Sequence, residues 1–163
     1  MIEHAVRIAH DIKANALMVC VDVISDAGLI IDEIKKDISF IIVSREDESI
    51  PDEMKVNAKI LYIPNVNLTR VGKIKIAIAK GIVQGVLKRG DKVVCLSGVP
   101  KFGYADSIFV VDVGKEFEIL TSDFINDVLE NVRPEVFNAV LNIALELAAQ
   151  GRESRKVGTI FIL

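Results

Sequence analysis

The chain has 163 residues, enough for one well-buried domain or one domain with a short appendage. Hydrophobic residues make up 51% and aromatic residues only 6%, so the core must be built from Ile, Val, Leu and Ala, a bias that suits parallel strands covered on both faces. A formal net charge of −3 argues against a nucleic-acid partner held by phosphate neutralisation, and no apolar run approaches the ~18 residues of a membrane span.

Residues 2–13 place Ile2, Ala5, Val6, Ala9 and Ile12 on one helical stripe. Glu3, His4, Arg7, His10 and Asp11 break any resemblance to a secretory leader, so a cytoplasmic location is expected. ALMVCVDV (16–23) reads as a buried strand, 26–36 as a second helix, and SFIIVS (39–44) as a second strand. REDESIPDEM (45–54) reads as an acidic loop broken by Pro51, and AKILYI (58–63) as a third strand.

Thr69 is placed to cap a long helix running to Arg89, with Gly90 as its stop. Ala77, Gly81 and Gly85 recur every four residues along it, and glycines at that spacing predict close approach to a neighbour, here the sheet. Lys73, Lys75, Lys80, Lys88, Arg89 and Lys92 are read as a solvated outer face balancing the acidic loop. DKVVCLSG (91–98) is a fourth strand and DSIFVVDVG (106–114) a fifth. The VPKFGYA connection between them is too short for a crossover helix, so the fifth strand should run antiparallel beside the fourth. The expectation is an α/β domain of three layers, α/β/α, with a mixed, mostly parallel five-stranded sheet.

Beyond it, 115–132 reads as a connection and a helix. Pro134 opens a further helix that Gly151 ends, apolar on most sides through Val136, Phe137, Val140, Leu141, Ile143, Ala144, Leu145, Leu147 and Ala148. VGTIFI (157–162) then reads as a strand, expected to lie against that helix, the sheet edge or a neighbouring chain.

Cys20 and Cys95 sit inside strand-like runs and read as buried, reduced thiols. His4 and His10 are six apart and cannot chelate together from one helix, so no metal site and no catalytic residue is expected. Gly-x-Ser-x-Gly and a P-loop are both missing from the sequence. The candidate ligand-binding residues are Ser97, Gly98, Lys101 and Gly103, in the loop after the fourth strand, where open α/β sheets bind ligands and where two glycines and a lysine could hold an anion. A tight strand-to-strand connection needing glycine geometry is the better-supported reading of that loop.

The order of elements over 1–114, and above all GIVQGVLKRGDKVVCLSGVPKFGYADSIFVVDVG, resembles the C-terminal domain of pyruvate kinase. That resemblance implies a fold and no catalytic residues. In many members the loop after the first strand binds a sugar-phosphate effector; here it reads Asp22-Val23-Ile24-Ser25-Asp26-Ala27, whose two carboxylates repel phosphate, so such an effector is not expected there.

RPEVFNAVLNIALELAAQGRESRKVGTIFIL resembles the opening of the diadenylate cyclase domain. Gly151-Arg152-Glu153 and Val157-Gly158-Thr159-Ile160-Phe161 match it, while Ser154 departs from a glycine of the family pattern. The archaeal branch carries a pyruvate-kinase-like domain in front, so the resemblance divides the chain into that domain (1–114), a connecting segment (115–133) and the start of a cyclase domain (134–163). It implies a nucleotidyltransferase parent that makes cyclic di-AMP from two ATP with Mn or Mg. The family's Asp-Gly-Ala and Arg-His-Arg motifs are missing here, so this chain alone should be inactive and hold no cofactor. The expected role is an accessory one: regulation by a small-molecule effector, or setting the arrangement of a homo-oligomer, in a chain cut shortly into its catalytic domain. A free-standing small-ligand sensor of the same fold is the alternative, its last strand extending its own sheet or pairing with a twin subunit.

Overall fold

The five strands expected between residues 16 and 114 all form, and they join in one sheet of order β3-β2-β1-β4-β5. The computed structural model describes residues 1–23, 37–45, 48–56, 58–99, 102–115, 132–150 and 160. The strands are β1 (Ala16–Cys20), β2 (Ser39–Arg45), β3 (Ala58–Ile63), β4 (Lys92–Ser97) and β5 (Ser107–Asp112). β1 pairs in parallel with both β2 and β4, and β2 with β3. β5 runs antiparallel to β4, from Lys92 opposite Asp112 to Ser97 opposite Ser107, as the short connection requires.

Side chains alternate across this sheet and feed two cores. Leu17, Val19, Phe40, Ile42, Val94 and Leu96 meet Ala5, Val6 and Ala9 of helix α1 (Ile2–Asp11). Met18, Cys20, Ile41, Val43, Val93 and Cys95 meet Ile74, Ala77 and Ile78 of a helix on the opposite face. Helices on both faces make the domain a three-layer α/β/α fold with a mixed, mostly parallel five-stranded sheet. Complete burial of a side chain such as Ile41 or Ile78 contributes about 1.5–3 kcal/mol. The acidic loop holds one turn of helix, α2 (Asp52–Lys55), which puts Met54 into the first core.

The opposite-face helix, α3 (Arg70–Val83), starts where expected: the Thr69 hydroxyl accepts from the Gly72 amide at 3.0 Å. Its end is different. It stops at Val83 rather than Arg89 because Gly85 takes φ +68° and closes a Schellman turn, with Val86 N–H donating to Gly81 C=O and Gly85 N–H to Ile82 C=O. Close approach belongs to Gly81, where a β-carbon would lie 2.9 Å from Leu87 Cδ1 and 3.4 Å from Leu61 Cδ1 of β3.

Helix α4 (Pro134–Gln150) opens on Pro134 and touches α3, while Ile143 and Leu147 stay exposed. Ile160, the one described residue of 157–162, is 89% exposed within this chain, which counts against its packing on the helix at 134–150 or on the sheet edge. The helix expected over 26–36, all but the two end residues of the connection and helix expected over 115–132, and the rest of that last strand lie outside the described residues.

Candidate functional site

Four parallel strands end on the same edge of the sheet, and the chain order reverses between β1 and β4, whose immediate neighbours leave in opposite directions. Open α/β sheets bind ligands at such a point because the diverging connections leave a crevice there. The side chains delivered to this edge come from the ends of β1, β2 and β4 and from the first turns of α3.

Lys73 is the largest fully buried side chain of the described residues, at 2% exposure. It lies on the stripe that carries Ala77 and Ile74 against the sheet, and its four-carbon stem carries the ammonium to the strand ends. There Nζ donates to Oδ2 of Asp22, which sits in a 3-10 turn (Val21–Val23) directly after β1. Both partners are shielded, with side-chain exposures of 2% and 9%. Asp22 Oδ1 is buried without a hydrogen-bond partner. Burying an ion pair costs several kcal/mol per ion, and the attraction offsets this only when the remaining lone pairs are satisfied. This pair is therefore incomplete as it stands.

A second pair lies beside it at the end of β2. Glu48 Oε2 accepts from the Arg45 amide at 2.9 Å, and the Arg45 guanidinium stands 3.9 Å from Glu48 Oε1. Arg45 also donates to Asn65 Oδ1 at 3.3 Å. The two pairs, with Cys20, Val43, Ser44 and Ile63, line a narrow recess that in its present form has no room for a water molecule. Burial pushes the Cys20 thiol up from 9.0 to about 11, and the neighbouring Ser97 hydroxyl opposes part of that rise. Ser97 Oγ is itself buried and makes no hydrogen bond of ordinary geometry.

Ser97 and Gly98 are thus buried at the end of β4. Gly103 lies apart, exposed at φ +66° in a turn where Phe102 N–H donates to Val99 C=O, and Lys101 falls outside the described residues. Phe102 and Tyr104 stack beside it with ring centroids 5.8 Å apart, both more than half exposed. The described part of this loop therefore does not gather the serine and the glycines into one cradle.

The reading of the lysines as a solvated face needs correction. Lys73 and Lys80 are 2% and 3% exposed, and Lys80 Nζ donates to the Tyr62 carbonyl at 2.7 Å. The periodic signal was present, since 73, 77 and 80 share the helix face that carries the core. Asp22, read as a charge that repels anions, has that charge matched by Lys73. Asp26 lies outside the described residues.

Both cysteines are buried and unpaired with each other. Among the described residues no group of three or more His, Cys, Asp or Glu side chains comes together as a metal site would need. No helix among them is long and apolar enough to cross a membrane.

Comparison with known proteins places these features. The chain is 27% identical to a diadenylate cyclase of Methanocaldococcus jannaschii over 183 aligned positions, which cover 100% of this chain and 59% of that protein. It therefore spans well under two thirds of that relative's length. A pyruvate kinase from Cryptosporidium parvum superposes with a TM-score of 0.46 at 18% identity, over 68% of this chain and 21% of that one. The model of the family described as "Probable sensor domain DacZ_P" matches residues 1–121, three quarters of the chain, and the protein belongs to that sensor-domain family.

Proposed function

We propose that this chain is the sensing part of a diadenylate cyclase of the archaeal type, and that it reads a small-molecule effector at the carboxyl edge of its sheet. The observation that carries the reading is the sensor-family match over residues 1–121, in a chain whose full length aligns with a diadenylate cyclase. The recess between β1, β2 and α3 supports the placement of the effector, because it holds charged groups that the fold alone does not need.

The parent reaction is the joining of two ATP into cyclic di-AMP with a divalent ion. The chemistry belongs to the catalytic domain, since the Asp-Gly-Ala and Arg-His-Arg motifs do not occur in these 163 residues. The sensor acts on that domain through the helix at Pro134–Gln150, which touches α3 and so connects to the helix that carries Lys73. Regulation runs either through the rate of each catalytic domain or through the spacing of catalytic domains in a homo-oligomer.

The test is made on the parent cyclase. Cyclic di-AMP formation and sedimentation are compared for the intact enzyme and for one lacking residues 1–114. A changed rate or assembly is expected, and an enzyme indifferent to the deletion in both respects would defeat the proposal.

A further inference from the structure

The recess at the carboxyl edge is lined by two cations and two carboxylates: Lys73 and Arg45, Asp22 and Glu48. They are arranged as neighbouring ion pairs, so the site is strongly polar and yet carries no net charge. A purely anionic ligand would engage the cations and strand Asp22 and Glu48 against its own charge. A purely cationic one would strand Lys73, which at 2% exposure is buried as deeply as the core. Stranding a buried charge is what makes a half-broken ion pair costly.

We propose that this recess binds a compact zwitterion of the α-amino-acid class, its ammonium received by Asp22 and Glu48 and its carboxylate by Lys73 and Arg45. Each internal ion pair is then exchanged for one with the ligand, and no charge is left alone. The orphaned Asp22 Oδ1 gains the donor it lacks, which is the independent sign that the pair alone does not complete the site. Space limits the class further. The recess has no room for even a water molecule while the internal pairs are closed, so a ligand must be small and must part those pairs as it enters. Entry requires the rim to open, and its side chains are the less buried pair, Arg45 and Glu48, at 22% and 25% exposure. The neutral thiol of Cys20 and the side chains of Val43 and Ile63 form the apolar part of the lining.

This inference rests on the reading of the carboxyl edge as the sensing surface, and the experiment separates the two. The full chain is titrated with glycine, L-alanine and L-serine, and with acetate, methylammonium and glucose 6-phosphate as probes of single charge type. Thermal midpoint and the amide resonances of Cys20, Asp22, Ser44 and Arg45 are followed. At least one of the amino acids is expected to raise the midpoint by about 5–10 °C at a hundredfold excess over its Kd and to move those resonances, with no comparable shift from the other probes. Arg45→Gln and Glu48→Gln, both at the rim, should each weaken binding at least about tenfold. No response to any of the three amino acids, an equal response to acetate, or binding that survives both rim substitutions overturns the zwitterion site. Response to glucose 6-phosphate alone, lost in Arg45→Gln, also overturns it while leaving the edge as a ligand site. Amino-acid binding that leaves the parent's cyclic di-AMP formation unchanged supports the site and removes its sensing role.

Discussion

Lys73 and Asp22 stand 51 residues apart in sequence and meet at the carboxyl edge of the sheet as an ion pair with side-chain exposures of 2% and 9%. Removing one partner strands the other, which costs about 3–5 kcal/mol, whereas replacing both by apolar groups of similar size leaves nothing stranded. Lys73→Met should therefore lower the urea midpoint sharply, and Lys73→Met with Asp22→Leu should recover most of the loss. Equal losses in the single and double variants would show that the pair itself is not what the fold depends on. The pair exists for binding rather than stability only if the double variant also loses ligand response.

The Cys20 thiol, pushed up to about 11 mainly by burial, makes a second prediction. At pH 8 only ~0.1% of it would be thiolate, so iodoacetamide should leave it unmodified in the folded chain and alkylate it once urea is added. Its folded value is raised above 9.0, so its contribution to stability is complete below pH 9.0 and is lost as pH rises towards 11. Cys20→Ala should flatten the decline in that window. Prompt alkylation of the native chain would mean that the thiol is reachable, and the apolar part of the recess would have to be redrawn.

The sheet was legible because its information is local. Runs such as ALMVC and FIIV are too short and too continuously apolar for surface helices, and the nine residues between β4 and β5 leave only one way to pair them. The end of α3 was not legible to the same degree, since Gly85 and Gly90 both offer a stop and only the turn bonds to Gly81 and Ile82 distinguish them. The recess was not legible for a different reason. Ser97 and Gly98 were found from loop composition, but Lys73, Asp22, Arg45 and Glu48 come from separate elements and meet only through strand order. Lys73 could have been recovered from its register with Ala77, had position on the helix been weighed above charge. Nothing in the sequence pairs it with Asp22.

Helices α1 and α3 both close through Schellman turns, and they differ in the residue at the left-handed position. Lys13 holds φ 53° after α1, where Ala14 N–H donates to Ala9 C=O, while Gly85 holds φ +68° after α3. A left-handed backbone costs a non-glycine residue about 1 kcal/mol. Lys13→Gly should stabilise the chain by up to about 1 kcal/mol and Gly85→Ala should destabilise it by a similar amount, no atom lying within 4 Å of the added β-carbon. Opposite shifts in thermal midpoint are the expected result. Shifts of the same sign would mean that side-chain contacts, rather than backbone conformation, decide at these turns.

Arg70 and Asp106 join the start of α3 to the end of the β4–β5 connection. Arg70 occupies the first turn of α3, where a cation opposes the helix dipole, so its position needs a partner. Asp106 supplies it: Arg70 Nε donates to Oδ1 at 2.8 Å, Nη2 donates to Oδ2, and the Ser107 hydroxyl adds a bond to Oδ1 at 2.7 Å. The guanidinium, and after it the hydroxyl, hold the Asp106 carboxyl below its ordinary 3.8. A depressed folded value means the contribution is present above the unfolded value and is lost as pH falls through the lower one, so this clamp opens only as pH falls through that depressed value, below 3.8. A carbon-detected titration of Asp106 should show that depressed midpoint, with Arg70→Met returning it towards 3.8 and Arg70→Lys, which cannot donate through a fork, falling between. Opening the clamp should also speed amide exchange at Phe102, whose ring stacks on Tyr104 in the same connection. If Arg70→Met leaves both the titration and the exchange unchanged, the connection is held by β-pairing alone and the clamp has no part in placing it.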